Sequence, residues 1–184
     1  MPHNDNTLIG YHGTTEANAI NILREQHFNP SNKENEWLGS GVYFFAYKYH
    51  ADWWTHSKRY RTEPTCILRA TLVYNDNQLL DLDNPKQLKD LNEYVKTAVE
   101  CMNSSHLGVD ADISKYNMFQ MFNFSCNLYK ELCPEIGIII YTFPAARSSK
   151  PGISGYTGNQ RQICVSQESI IQDIQKVWGA IYDR

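Results

Sequence analysis

Three short segments, far apart in the chain, carry residue types that bind ligands as readily as they pack: Tyr11-His12-Gly13-Thr14-Thr15, Gly39-Ser40-Gly41-Val42-Tyr43-Phe44-Phe45 and Gln160-Arg161-Gln162-Ile163-Cys164-Val165. A histidine followed by glycine offers a ring nitrogen beside a main chain that a ligand can approach, because no Cβ stands in the way. A Gly-x-Gly turn before a β-prone aromatic run presents Tyr43, and Trp54 lies eleven residues further on. Two aromatic faces of that kind can sandwich a flat ring, and Trp53 could serve as well as Trp54. In the third segment, period two puts Gln160 and Gln162 on one face of a strand and Arg161 on the other, so either glutamine could line a cleft. No Asp or Glu occurs between Glu135 and Glu168. A glutamine carbonyl can hold a hydroxyl, but it cannot act as a general base near neutral pH.

The elements that must position these residues follow from the local pattern. Leu8 to His12 reads as a strand, with Thr14-Thr15-Glu16 capping a helix that carries Ala17, Ile20, Ile22 and Leu23. A polar loop from Phe28 to Trp37 leads to the strand Val42–Phe45, and a helix is expected within Tyr47–Tyr60. Thr65–Tyr74 reads as a strand closed by Asp81-Leu82-Asp83. Pro85–Asn103 is apolar at intervals of three and four (Leu88, Leu91, Val95, Val99, Met102), an amphipathic helix. Ser114–Leu132 is a second helix whose Met118, Phe119, Met121, Phe122 and Phe124 read as core, or otherwise as a lid or partner surface. Gly137–Phe143 and Gln160–Val165 are further strands on either side of the loop Pro144–Asn159, and Ser169–Ile181 closes the fold. Strands and helices do not alternate regularly, which favours an α+β class with two small, largely antiparallel sheets. One domain over 1–184, with a helical insertion at about 84–133, is expected.

Composition narrows the function classes. The chain has 184 residues, 42% hydrophobic and 20% charged, a globular balance. Its longest apolar run, Ile136–Phe143, is less than half of the ~20 residues that a bilayer span requires, and Met1-Pro2-His3-Asn4-Asp5 lacks the layout of a signal peptide, so a cytoplasmic protein without a membrane partner is expected. Cys66, Cys101, Cys126, Cys133 and Cys164 are odd in number and lack a C-x-x-C pair, favouring neither a disulfide framework nor a metal site. A net charge of −3 excludes a uniformly basic coat for nucleic acid while leaving local basic patches open.

In chain order the three segments resemble the ADP-ribosyltransferase superfamily in its diphtheria-toxin and poly(ADP-ribose)-polymerase branch, where H-G, G-x-G-x-Y-F and a last strand bearing glutamate form the NAD cleft. The resemblance implies a split two-sheet ADP-ribosyltransferase-like fold with inserted helices, NAD as co-substrate and no metal. It implies that His12 bonds the adenosine side of NAD, that the Gly13 main chain meets the nicotinamide carboxamide with Thr14 beside it, and that Tyr43 and Trp54 stack on the ring. The sequence departs from the pattern twice: Ala51 stands where the polymerases have a small hydroxyl residue, and Gln162 stands where they have glutamate. His12, Tyr43 and Gln162 thus form an H-Y-Q variant of the H-Y-E catalytic triad. Loss of the carboxylate argues against polymer growth and leaves mono-ADP-ribosylation, or a non-catalytic NAD or ADP-ribose binding module.

The superfamily keeps its target-recognition loop just before the catalytic strand, which here assigns Arg147, Lys150, Tyr156, Gln160 and Arg161 to the acceptor. Pro144–Arg161 has no acidic residue, and Lys58-Arg59-Tyr60-Arg61 is a second acid-free basic stretch with an aromatic inside it. A nucleic-acid acceptor, RNA favoured, is expected, with a protein acceptor as the alternative. A compact catalytic chain of this kind looks like a bacterial toxin of a toxin–antitoxin or phage-defence system, with an antitoxin protein as partner.

Overall fold

The computed structural model describes residues 5–33, 36–56, 63–104, 115–144 and 159–177. The expected acceptor residues Arg147, Lys150 and Tyr156, and the stretch Lys58-Arg59-Tyr60-Arg61, lie outside the described residues. The elements run β1 (Asn6–Thr15), α1 (Glu16–Glu25), β2 (Val42–Phe45), α2 (Lys48–Thr55), β3 (Thr65–Tyr74), β4 (Leu79–Asp81), α3 (Pro85–Ser104), α4 (Met118–Leu132), β5 (Ile138–Phe143), β6 (Gln160–Val165) and β7 (Ile171–Val177).

Local chemistry sets the helix ends. The Thr15 hydroxyl accepts from the Asn18 N–H at 3.2 Å and starts α1, and Gln26, in the left-handed region, stops it with its N–H on the Ile22 carbonyl. The Asn84 side chain accepts from Lys86 N at 3.0 Å ahead of α3, whose first residue is Pro85, where a missing N–H costs nothing. Asn117 and Gln120 form a reciprocal capping box at the start of α4.

The strands form one seven-stranded sheet in the order β4-β5-β6-β2-β1-β3-β7. This places the chain in the broad α+β class, and it corrects the expectation of two separate sheets. It also corrects the expectation that Asp81-Leu82-Asp83 closes the Thr65–Tyr74 strand: Leu79–Asp81 is a strand of its own, parallel to β5, so β4, the two helices and β5 make one crossover in a sheet otherwise paired antiparallel. A three-residue strand has too little pattern to be read from sequence.

Both faces of the sheet are covered, which is why Ile138, Ile139 and Ile140 are all buried in succession. One face packs Phe44, Leu68, Leu72, Ile140 and Ile163 with Ala19 of α1. The other packs Ile139, Phe143 and Cys164 with Leu91 and Val95 of α3 and Cys126 and Leu128 of α4. Among the described residues no helix is long and apolar enough to cross a membrane.

Pairing along the sheet is uneven. β1 and β3 are in register along their whole length, from Asn6 opposite Tyr74 to Thr15 opposite Thr65, whereas β1 and β2 are paired only at Tyr11 opposite Phe45. The sheet is therefore two well-laddered halves, β4-β5-β6-β2 and β1-β3-β7, joined by a narrow seam.

Leu68 is fully buried in the half that holds β1, so Leu68→Ala should lower unfolding stability by about 2–5 kcal/mol in urea titrations, through lost burial plus the cavity left behind. Lys89→Ala, on the solvent side of α3, should change it by less than about 0.5 kcal/mol.

Candidate active site

The seam opens because other groups occupy the edge of β2 that β1 would otherwise use. Ser31 and Gly41 exchange main-chain hydrogen bonds of 2.8 and 2.9 Å, holding the loop after α1 against the start of β2. Phe28, on that loop, is buried with its ring edge-on to His12 at 5.0 Å and to Phe44 at 5.2 Å. His12 fills the remaining gap: its Nδ1 lies 2.7 Å from the Tyr43 carbonyl oxygen. A carbonyl only accepts, so Nδ1 carries the proton and a neutral ring keeps the Nε2 lone pair for a ligand. Burial lowers the imidazole pKa below its ordinary value, and the Tyr43 carbonyl opposes this more weakly, so the neutral form is favoured.

Tyr43 is pinned at both ends. Its hydroxyl donates to the Gly39 carbonyl at 2.6 Å and accepts from the Leu38 N–H at 2.9 Å, and burial pushes the phenol pKa well above its usual value. The turn that supplies these partners requires glycine. Gly39 has φ +78°, and a Cβ there would lie 2.5 Å from Asn127 Oδ1; a Cβ on Gly41 would lie 2.6 Å from Cys164 Sγ. Helix α4 holds the turn from outside: Asn127 Oδ1 accepts from Ser40 N at 2.7 Å, the Lys130 ammonium donates to the Ser40 carbonyl, and the Asn123 amide donates to the Glu36 carbonyl. Asn123, Asn127 and Lys130 repeat on one helix face, a polar spacing inside an apolar helix that was legible in the sequence but whose partner was not.

Register across four strands defines the other side of the site. Tyr11, Phe45, Gln162 and Tyr141 are successive neighbours on β1, β2, β6 and β5, and their side chains share one face. Tyr43 and Gln160 are on the same face, two residues along their strands. All are half-buried. The Gln162 amide has an aromatic neighbour on each side, and no hydrogen bond holds it among the described residues. The flanking rings of Phe45 and Tyr141 were missed from sequence, because only strand pairing reveals them. Trp54 lies 6.4 Å from Phe45, ring centre to ring centre, and is 36% exposed. At about 3.6 residues per turn, Trp53 lies on the opposite side of α2 from Ala51, which faces β1, so of the two tryptophans Trp54 is the one beside this row.

Three of the expected residues are held by neighbours within the fold. Gly13 is buried, and the space of its missing Cβ is taken by α2, with the Ala51 carbonyl oxygen 2.7 Å and Thr55 Cγ2 2.8 Å from where a Cβ would be. Thr14 is buried opposite Cys66 of β3. Arg161 points to the other face, where its guanidinium lies 3.3 Å from Asp81 and 3.4 Å from Asp83, so its charge is already matched. His12 also leaves β1 on the face away from Gln162, and it joins the site through the open seam and the Tyr43 main chain. β2, β5 and β6 carry no acidic residue. Among the described residues no group of three or more His, Cys, Asp or Glu side chains is arranged to hold a metal ion.

No protein-family model and no solved structure matches the chain. Over 76 residues it is 32% identical to an uncharacterized protein of Methanocaldococcus jannaschii, a stretch that makes up 39% of this chain and 36% of that protein. The chain thus spans about a third of the length of the relative it matches.

Two outcomes follow from this geometry. Gly13→Ala should push α2 off β1 and cost about 1–3 kcal/mol of stability by overpacking, measured by thermal unfolding with Trp54 fluorescence as a local reporter. His12 binds fewer protons folded than unfolded, so stability attributable to it is full above pH ~6.5 and falls as the solution is acidified. His12→Gln should flatten that part of the stability–pH curve, and a native imidazole that titrates at the free value by NMR would contradict the assignment.

Proposed function

We propose that the chain is an NAD-dependent mono-ADP-ribosyltransferase of the split-sheet kind, modifying nucleic acid, RNA in the first place, in the manner of a toxin held in check by an antitoxin. The observation that carries this reading is the seam itself. A sheet opened between β1 and β2, with a neutral His12 bonded to the Tyr43 main chain and, one strand further along, a Gln162 that no hydrogen bond holds among the described residues, agrees with the order and spacing of the H-Y-Q residues.

The groups present fit a dinucleotide co-substrate. Nε2 of His12 can accept from a ribose hydroxyl, the Tyr43, Phe45 and Trp54 rings offer flat apolar surface, and the Gln162 carbonyl can orient a second ribose hydroxyl. In the transfer, the bond between the ribose C1′ and the nicotinamide nitrogen breaks and nicotinamide leaves with the electron pair. The acceptor nucleophile then bonds C1′ and releases its proton to water. The chain's contribution is to place NAD and to stabilise the cation developing on the ribose with the Gln162 carbonyl dipole. No carboxylate on β6 activates the acceptor, so a nucleophile that can attack without prior deprotonation, such as a base ring nitrogen, suits the site.

The missing carboxylate equally favours a second reading, a module that binds NAD or ADP-ribose without turnover. Incubation with labelled NAD, with and without cellular RNA and protein, separates these readings: label should enter RNA. Label in protein alone would make the chain a protein mono-ADP-ribosyltransferase, and tight binding without nicotinamide release would make it a binding module. Gln162→Ala should suppress both transfer and NAD hydrolysis, whereas Gln160→Ala should weaken transfer and spare hydrolysis. Acceptor affinity of the unmodified protein should fall steeply with ionic strength, as phosphate contacts require.

A further inference from the structure

The two amide side chains that α4 directs at the turn before β2 have fixed hydrogen-bond directions. The Glu36 carbonyl only accepts, so Asn123 presents its NH2 group there, and its Oδ1 is left to accept from the Asn127 amide at 3.1 Å. Asn127 Oδ1 is thereby turned to the Ser40 N–H, 2.7 Å away. That N–H belongs to the same peptide group as the Gly39 carbonyl, which accepts from the Tyr43 hydroxyl at 2.6 Å and lies 3.6 Å from Cys164 Sγ. A single peptide plane thus has Asn127 at one end and the Tyr43 phenol at the other.

A peptide group is planar, so its carbonyl and its N–H turn together. Gly39, at φ +78° and without a Cβ, offers that turn little resistance of its own, and a hydrogen bond at one end of the group polarises and strengthens the one at the other. The next peptide group is held separately, with the Ser40 carbonyl on the Lys130 ammonium and the Gly41 N–H on the Ser31 carbonyl at 2.9 Å. We propose that Asn127 is a positioning residue for Tyr43, acting through the Gly39–Ser40 peptide to hold the ring whose face takes the co-substrate. The link itself stands on the hydrogen bonds alone. Its purpose rests on the reading that Tyr43 stacks on NAD.

NMR and calorimetry on the full chain test it. With tyrosine labelled by carbon-13 at Cζ, the Tyr43 resonance, identified by its absence in Tyr43→Phe, should move in Asn127→Leu, or in Asn127→Ala where the larger side chain blocks folding. Asn127→Asp, which keeps an acceptor for the Ser40 N–H, should return it toward the native position. NAD affinity by calorimetry should fall about two- to ten-fold in Asn127→Leu, the worth of one hydrogen bond. In a Tyr43→Phe protein, which keeps the ring and lacks the hydroxyl, the same substitution should change that affinity by less than about two-fold. A Tyr43 resonance unmoved in the folded Asn127 variant, or an equal loss of NAD affinity with and without the Tyr43 hydroxyl, overturns the proposal. A resonance that moves as expected in a protein that binds no NAD upholds the link and overturns the co-substrate reading instead.

Discussion

The organisation of this protein depends on how little β1 and β2 share. Antiparallel neighbours normally ladder along their common length, as β1 and β3 do, yet here only Tyr11 and Phe45 pair. Main-chain groups freed beyond that point must be satisfied some other way, because a buried unpaired carbonyl costs about as much as a lost hydrogen bond. The His12 imidazole meets this need at Tyr43, and the Ser31–Gly41 bridge meets it at the start of β2. Phe28 fills the space beneath them. The opening is thus a specified feature, sealed on the α1 side by apolar rings and spanned on the other face by α2.

The helical pair α3–α4 has a role beyond covering the sheet. Its apolar side completes the second core, and the Asn123, Asn127 and Lys130 side chains reach the turn from Glu36 to Gly41. That turn supplies both partners of the Tyr43 hydroxyl. The chain of contacts from α4 through the turn to Tyr43 consists of directional hydrogen bonds to main chain, so a shift of α4 would be felt by the ring. Cys164 lies under the same turn, its thiol directed at the Gly39 and Ser40 carbonyls and its pKa pushed up by burial to about 11, which keeps it protonated and able to donate.

The two faces of β6 separate two kinds of polar group. Arg161 is matched by Asp81 and Asp83, and Asp83 also receives the Thr142 main-chain N–H at 2.8 Å and its hydroxyl at 2.7 Å, so this network fastens β6 to the β4 end of the sheet. Gln160 and Gln162, on the opposite face, are fastened to nothing described. Neutral amides can remain half-buried without a partner at moderate cost, whereas a carboxylate in the same place would carry a larger desolvation penalty. A glutamine there is compatible with the aromatic surroundings even when no ligand contributes to its solvation.

Much of the local structure was written in the sequence. The strands Val42–Phe45, Thr65–Tyr74 and Gln160–Val165 coincide with their β-prone runs, Thr15 caps α1, and Pro85 opens α3, because each depends on neighbours within a few residues. Period two placed Gln160 and Gln162 together and Arg161 apart. Pairing between distant segments was decided only by the folded chain: the single sheet in place of two, the parallel three-residue β4, and the flanking of Gln162 by Phe45 and Tyr141. So was the packing of Gly13, whose missing Cβ makes room for the Ala51 carbonyl and Thr55 of α2. These features arise from register and close packing between residues tens of positions apart, and neither has a periodicity along the chain.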